Sequence, residues 1–157
     1  STAAIRGTIM TEDVLTVGLE TSSTRMEPLW LVRIQLPEDE ADAVMERLTE
    51  VVPLTMGHYD RCAFQSAPGL ERYRPREGAA AGVEEETRKR PGIIEISFQI
   101  ARDRGVLDQA IEAVVAVHSY QEPVIIVQDV LASRSKGGDP ANPNRWWNKG
   151  GDWMTTS

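Results

Sequence analysis

The chain has 157 residues, with 17 basic and 24 acidic side chains and a formal charge of −7. Its one cysteine, Cys62, excludes an intrachain disulfide and any multi-cysteine metal or iron–sulfur cluster. The acidic balance argues against non-specific nucleic-acid binding, which rests on lysine and arginine neutralising phosphates, and no apolar run approaches the ~20 residues of a membrane span.

Residues 1–27 are rich in Ser and Thr, show no sustained periodicity, and lack the basic start and apolar core of a secretory signal. They read as an N-terminal arm of a cytoplasmic protein. From Trp30 to Leu36, apolar Trp30, Val32, Ile34 and Leu36 alternate with Leu31, Arg33 and Gln35, the period of a half-buried strand. Pro37 ends it, and Glu38, Asp39 and Glu40 follow where a helix N-terminus favours negative charge. Ala41, Val44, Met45, Leu48 and Val52 fall at helical spacing until Pro53 and Gly57. Residues 58–66 alternate again, with His58, Asp60, Cys62, Phe64 and Ser66 on one face and Tyr59, Arg61, Ala63 and Gln65 on the other. This predicts a second strand, with Cys62 and Phe64 turned toward the core.

Ile94, Ile96, Phe98 and Ile100 define a third strand, with Glu95, Ser97 and Gln99 opposite. Asp103 is placed to cap a helix whose apolar stripe is Leu107, Ala110, Ile111, Val114 and Val117, ending near His118. After Pro123, Val124–Leu131 is apolar enough for a central strand. The order strand–helix–strand–strand–helix–strand predicts a ferredoxin-like α+β domain over residues 28–132. Its four-stranded antiparallel sheet carries both helices on one face. Arg33, Gln35, Arg61, Gln65, Glu95, Ser97 and Gln99 would occupy the other face, which is either solvated or the hydrogen-bonded interior of an oligomer. The pattern leaves both open.

The 66–92 connection is far longer than a hairpin requires. It holds Arg72, Arg74 and Arg76 at alternate positions, then Glu84, Glu85 and Glu86, then Arg88, Lys89 and Arg90. Such runs are either solvated charge or, for the three arginines, an effector site gripping phosphate or carboxylate groups bidentately. His118, Glu122, His58 and Cys62 offer the imidazole, carboxylate and thiolate ligands of a divalent metal ion; the alternative is that His118 caps its helix or packs beside Tyr120. For catalysis there is no phosphate-binding glycine loop, G-x-S-x-G elbow or H-E-x-x-H motif. A Cys62 nucleophile paired with His58 or His118 lacks a third, orienting group. Residues 133–157 are rich in turn formers and hold Trp146, Trp147 and Trp153, 3 of the 9 aromatic residues. A segment so aromatic is expected to dock, either within its own assembly or on a partner protein.

Three stretches resemble a known family. Gly57-His-Tyr-Asp-Arg-Cys-Ala-Phe-Gln-Ser66, Tyr73-Arg-Pro-Arg-Glu-Gly-Ala79 and His118-Ser-Tyr-Gln-Glu-Pro123 resemble, in order and spacing, the G-x-Y-x-x-C-x-F, F-R-P-x-x-G-A and H-P-Y-E-E-P segments of the small domain inserted in Nif-three-like (YqfO-type) proteins. The resemblance covers roughly residues 29–132. Ser119 and Gln121 stand where the family motif has proline and glutamate, and the segment from Gly78 to Ile93 is shorter. The large metal-binding halves of those proteins have no counterpart here, so no hydrolase-like activity is implied. The inserted domain is similar in fold to the CutA and PII proteins, which are trimers, and in PII proteins the long loop after the second strand contacts effectors. The resemblance therefore implies a non-catalytic, homotrimeric binding or sensory module taking a divalent metal ion or a small anionic effector. The alternative is a ligand-free interaction module that uses the 66–92 loop and the Trp-rich tail.

Overall fold

One long strand organises the sheet. The structure is a computed structural model that describes residues 14–150; Trp153 lies outside them. β1 (Leu19–Glu20) leads into β2 (Thr24–Pro37), α1 (Ala41–Val51), β3 (Phe64–Gln65), β4 (Gly69–Tyr73), β5 (Arg88–Ala101), α2 (Arg104–Val117) and β6 (Val124–Ser135). β2 pairs with β6 on one flank and β5 on the other, and β5 pairs in turn with β3 and β4, every pair antiparallel. The first and third main strands are therefore central and the second and fourth lie at the edges, the ferredoxin-like order. β1 extends the sheet by a two-residue pairing with Arg25 and Met26. Gly18 makes this approach possible: its φ is +80°, and a Cβ there would lie 2.2 Å from the Met26 carbonyl oxygen.

The predicted alternation delivers the core. Val32, Ile34 and Leu36 of β2 and Ile94, Ile96, Phe98 and Ile100 of β5 meet Val44 and Leu48 of α1 and Ala110 and Val114 of α2. Glu38–Glu40 form a 3-10 turn ahead of α1, and the Asp103 carboxylate accepts from the Val106 N–H at 3.1 Å to cap α2.

The second strand departs from expectation. Arg61 N–H donates to the Pro53 carbonyl (2.8 Å) and Cys62 N–H to that of Leu54 (3.0 Å), while Met56 and Tyr59 exchange bonds of 2.7 and 3.0 Å. Residues 53–62 thus close on one another around Gly57-His58, and of the predicted strand only Phe64, Gln65 and Ser66, which exchanges bonds with Glu95, reach β5. The alternation over 58–63 marks extended chain whose partner is local rather than the sheet. The register Phe64↔Ser97 and Gln65↔Ile96 also reverses the expected faces. Phe64 falls on the open face, 70% exposed, and Gln65 on the helix side, because parity decides the face in a strand. Cys62 is half-buried, outside the core cluster.

Arg33, Gln35, Glu95, Ser97 and Gln99 do line the face away from the helices. Gln35 Nε2 donates to Glu95 at 3.2 Å, and Arg33 Nε lies 3.7 Å from the same carboxylate. Arg134 donates to Gln99 Oε1 at 2.8 Å. Arg134 pairs with Arg25 and Gln99 with Leu31, so the β2–β6 ribbon bends over this face, burying Leu29 and Ala132. Arg102 fixes the bend by donating to the carbonyls of Leu15, Leu29 and Val130. Among the described residues no helix is long and apolar enough to cross a membrane.

Candidate functional site

The 66–92 connection is an arm with two unlike faces. β4 pairs with the first residues of β5 in the register Glu71↔Arg90, Arg72↔Lys89 and Tyr73↔Arg88. A register shift between Gly69 and Glu71, opposite Pro91 and Gly92 (φ +79°), bends the arm relative to the sheet. Directly opposed residues share a face and successive residues alternate. Glu71, Tyr73, Arg88 and Arg90 therefore form one face, and Arg72 and Lys89 the other.

The first face is fully engaged. Glu71 accepts from the Tyr120 hydroxyl at 2.7 Å, and the Arg90 guanidinium lies 5.3 Å from the Tyr120 ring centroid. Arg88 donates to both Glu84 carboxylate oxygens and to the Tyr73 hydroxyl. The Arg88 hydrogen bonds hold the Glu84 carboxyl below its ordinary range. Burial, reinforced by the bond to Glu71, pushes the Tyr120 phenol up. The tip folds on itself through Ala79 N–H to the Arg76 carbonyl (2.9 Å) and Glu84 N–H to that of Pro75 (3.2 Å).

The segment after α2 anchors this face. His118 is 8% exposed. Its Nδ1 lies 3.1 Å from Tyr120 N, and its Nε2 lies 2.8 Å from the Gln35 carbonyl oxygen. A backbone N–H can only donate, so Nδ1 accepts and the proton sits on Nε2, which donates to Gln35. Ser119 donates to Glu40 from its N–H (3.1 Å) and its hydroxyl (2.6 Å). Gln121 pairs with the arm tip as a peptide group would: Oε1 accepts from Ala80 N–H at 2.8 Å and Nε2 donates to the Gly78 carbonyl at 3.2 Å.

The second face is unmatched. Arg72 and Lys89 on it, and Arg74 and Arg76 just beyond the end of β4, are exposed, and among the described residues none of these side chains has a hydrogen-bond or ion-pair partner. Like charges directly opposed across a ladder are destabilising. The arrangement suits an anion from solution. Lys89 is the residue that faces Arg72; its place there depends on the hairpin register, which composition does not reveal.

The residues read as metal ligands do not converge. Both His118 nitrogens are spent, Glu122 and His58 are exposed on separate segments, and Cys62 Sγ is 3.5 Å from the Asp60 carbonyl oxygen. Among the described residues no three His, Cys, Asp or Glu side chains group to hold a metal ion, so the set does not fit one. Cys62 instead lines a groove of about 480 Å³ with Tyr59, Arg61 and Phe64, against Ser97 and Gln99 of β5. Leu54 and Arg61, both with positive φ, bracket that loop. In the tail, Trp146 and Trp147 meet edge-on at 5.9 Å, and Trp147 Nε1 donates to the Pro140 carbonyl at 2.8 Å, leaving the ring 51% exposed.

The chain is similar in structure to a Bacillus cereus protein related to NIF3, with a TM-score of 0.57, 23% identity, and coverage of 78% of this chain and 32% of that one. It spans about a third of that protein's length. It is also similar to CutA1, a divalent ion tolerance protein from Ehrlichia chaffeensis (TM-score 0.48, 20% identity, 66% of this chain and 82% of that one). A further likeness is to Bacillus subtilis GlnK (TM-score 0.44, 15% identity, 66% and 86%). No family model and no curated protein matches the chain. The resemblance read from the three sequence stretches thus has its structural counterpart, and it is a likeness of fold.

Proposed function

We propose that the chain is a binding or sensory module that takes a small anionic effector on its arm, through Arg72 and Lys89 on the outer face and Arg74 and Arg76 just beyond β4. The observation that carries this reading is the directly opposed Arg72–Lys89 pair, unpartnered in a chain of net charge −7. A protein with acid to spare that leaves two facing cations unneutralised keeps a place for an external anion. The divalent-metal reading lacks a converging ligand set, and no residue is assigned a catalytic role.

The module works as a homo-oligomer, a trimer as the resemblance implies. Among the described residues β6 is paired on one side only, and β5 beyond Ser97 has no strand neighbour on its β3 side, so these two strand edges are available for pairing between copies. A second reading, docking of a protein partner on the tail, is favoured by the fixed and exposed ring of Trp147.

Calorimetric titration with pyrophosphate, ATP and citrate tests the anion reading. Binding of at least one, weakened about tenfold or more in Arg72→Glu and falling with added salt, supports it. Silence from all three removes it. Binding to an immobilised tail peptide that Trp147→Ala abolishes would instead favour the docking reading.

A further inference from the structure

Ser119 and Gln121 make contacts that the proline and glutamate of the resembling motif cannot. A proline at 119 has no N–H to give Glu40. A glutamate at 121 accepts from Ala80 N–H but, ionised, has nothing to donate to the Gly78 carbonyl. With Tyr120 between them, these residues join the start of α1, the inner face of the arm and its tip.

We propose that Ser119, Tyr120 and Gln121 form a latch that holds the arm closed, and that the latch is coupled to anion binding by Arg72 and Lys89; this coupling rests on the anion reading above. The outer face opposes two cations and so biases the hairpin toward opening. The inner face opposes that bias with the Glu71–Tyr120 bond, the Arg90–Tyr120 ring contact and the two Gln121 bonds. Only the closed arm places Arg72 and Lys89 side by side, so an anion binds the closed form and its apparent affinity scales with the closed fraction. The latch residues touch no ligand and are positioning residues. Each hydrogen bond of this kind shifts such an equilibrium by about two- to tenfold.

Hydrogen exchange and pyrophosphate titration on wild type, Gln121→Ala, Gln121→Glu and Tyr120→Phe test the proposal. In Gln121→Ala, the amides of Ala80, residues 69–73 and residues 88–90 should exchange about tenfold faster, while those of residues 94–100 keep their wild-type rates. Gln121→Glu retains the Ala80 contact and should fall between wild type and Gln121→Ala. Pyrophosphate affinity should fall in that same order, a ranking that general destabilisation would not produce with residues 94–100 unmoved. Unchanged arm exchange in both Gln121→Ala and Tyr120→Phe overturns the latch. Faster exchange with unchanged pyrophosphate affinity overturns the coupling. Absence of pyrophosphate binding in wild type, with faster arm exchange in Gln121→Ala, removes the anion reading and the coupling with it but supports the latch.

Discussion

His118 shows how much one side chain settles. It is buried, and each ring nitrogen meets a backbone group: Tyr120 N–H on one side, the Gln35 carbonyl on the other. Replacing it with alanine strands both groups, at about 1–3 kcal/mol for each unsatisfied partner. His118→Ala should therefore lose about 3 kcal/mol in urea denaturation, and a loss near zero would mean that these bonds carry no weight. Tyr120, two residues on, adds a pH dependence. Its folded phenol titrates above the unfolded value of about 10, so its contribution is complete below that pH and is lost as pH rises toward the folded value. The stability difference between wild type and Tyr120→Phe should hold steady from about pH 8 to pH 9 and shrink as pH climbs past about 10. A difference that stays flat to pH 11 would show that the phenol is not held.

At the scale of elements, the arm sets stability against binding. Lys89 faces Arg72 across the ladder, and Lys89→Glu turns a repulsion into an attraction worth roughly 0.2–1 kcal/mol. The variant should slow amide exchange in residues 69–73 while losing the anion, so that arm order rises as affinity falls. Loss of the anion without slower exchange in residues 69–73 would detach the charge pair from arm stability. The arm was hidden in the sequence because neither of its faces is apolar: Glu71, Arg72, Lys89 and Arg90 carry no hydrophobic period to read. β2, β5, α1 and α2 were legible because Val32, Ile96, Val44 and Val114 all answer to one shared core. Residues 58–63 show the limit of that signal. A period of two identifies extended chain and not its partner, and Pro53 and Leu54 captured the bonds expected for β5. The arginines at 72, 74 and 76 could be singled out by charge, but their pairing with Lys89, and the contacts of Glu40, Glu71 and Ala80 with residues 119–121, join positions far apart in the chain that only the fold brings together.

For the whole molecule, the sheet poses a question of cover. The helices bury one face, while the other carries a hydrogen-bonded polar cluster at Gln35 and Glu95 beside Phe64, 70% exposed at the rim of the groove. A large aromatic on an edge strand, next to a stretch of β5 that has no strand partner among the described residues, suits strand pairing with another copy. Because β6, among the described residues, has no partner at the opposite edge, such a contact joins unlike edges, a head-to-tail arrangement that closes into a ring where the rotation between copies permits it. Native mass spectrometry should then show a multiple of 17.4 kDa, three copies on the reading above. Phe64→Lys tests the face itself. The side chain lies outside the core, so the variant should fold with wild-type thermal stability as a single chain yet appear at the monomer mass, because a charged group buried without a partner at the contact is heavily penalised. A wild type that runs at 17.4 kDa at micromolar concentration would refute the assembly. An unchanged oligomer in Phe64→Lys would move the contact elsewhere, to the outer edge of β6 or the tryptophan tail.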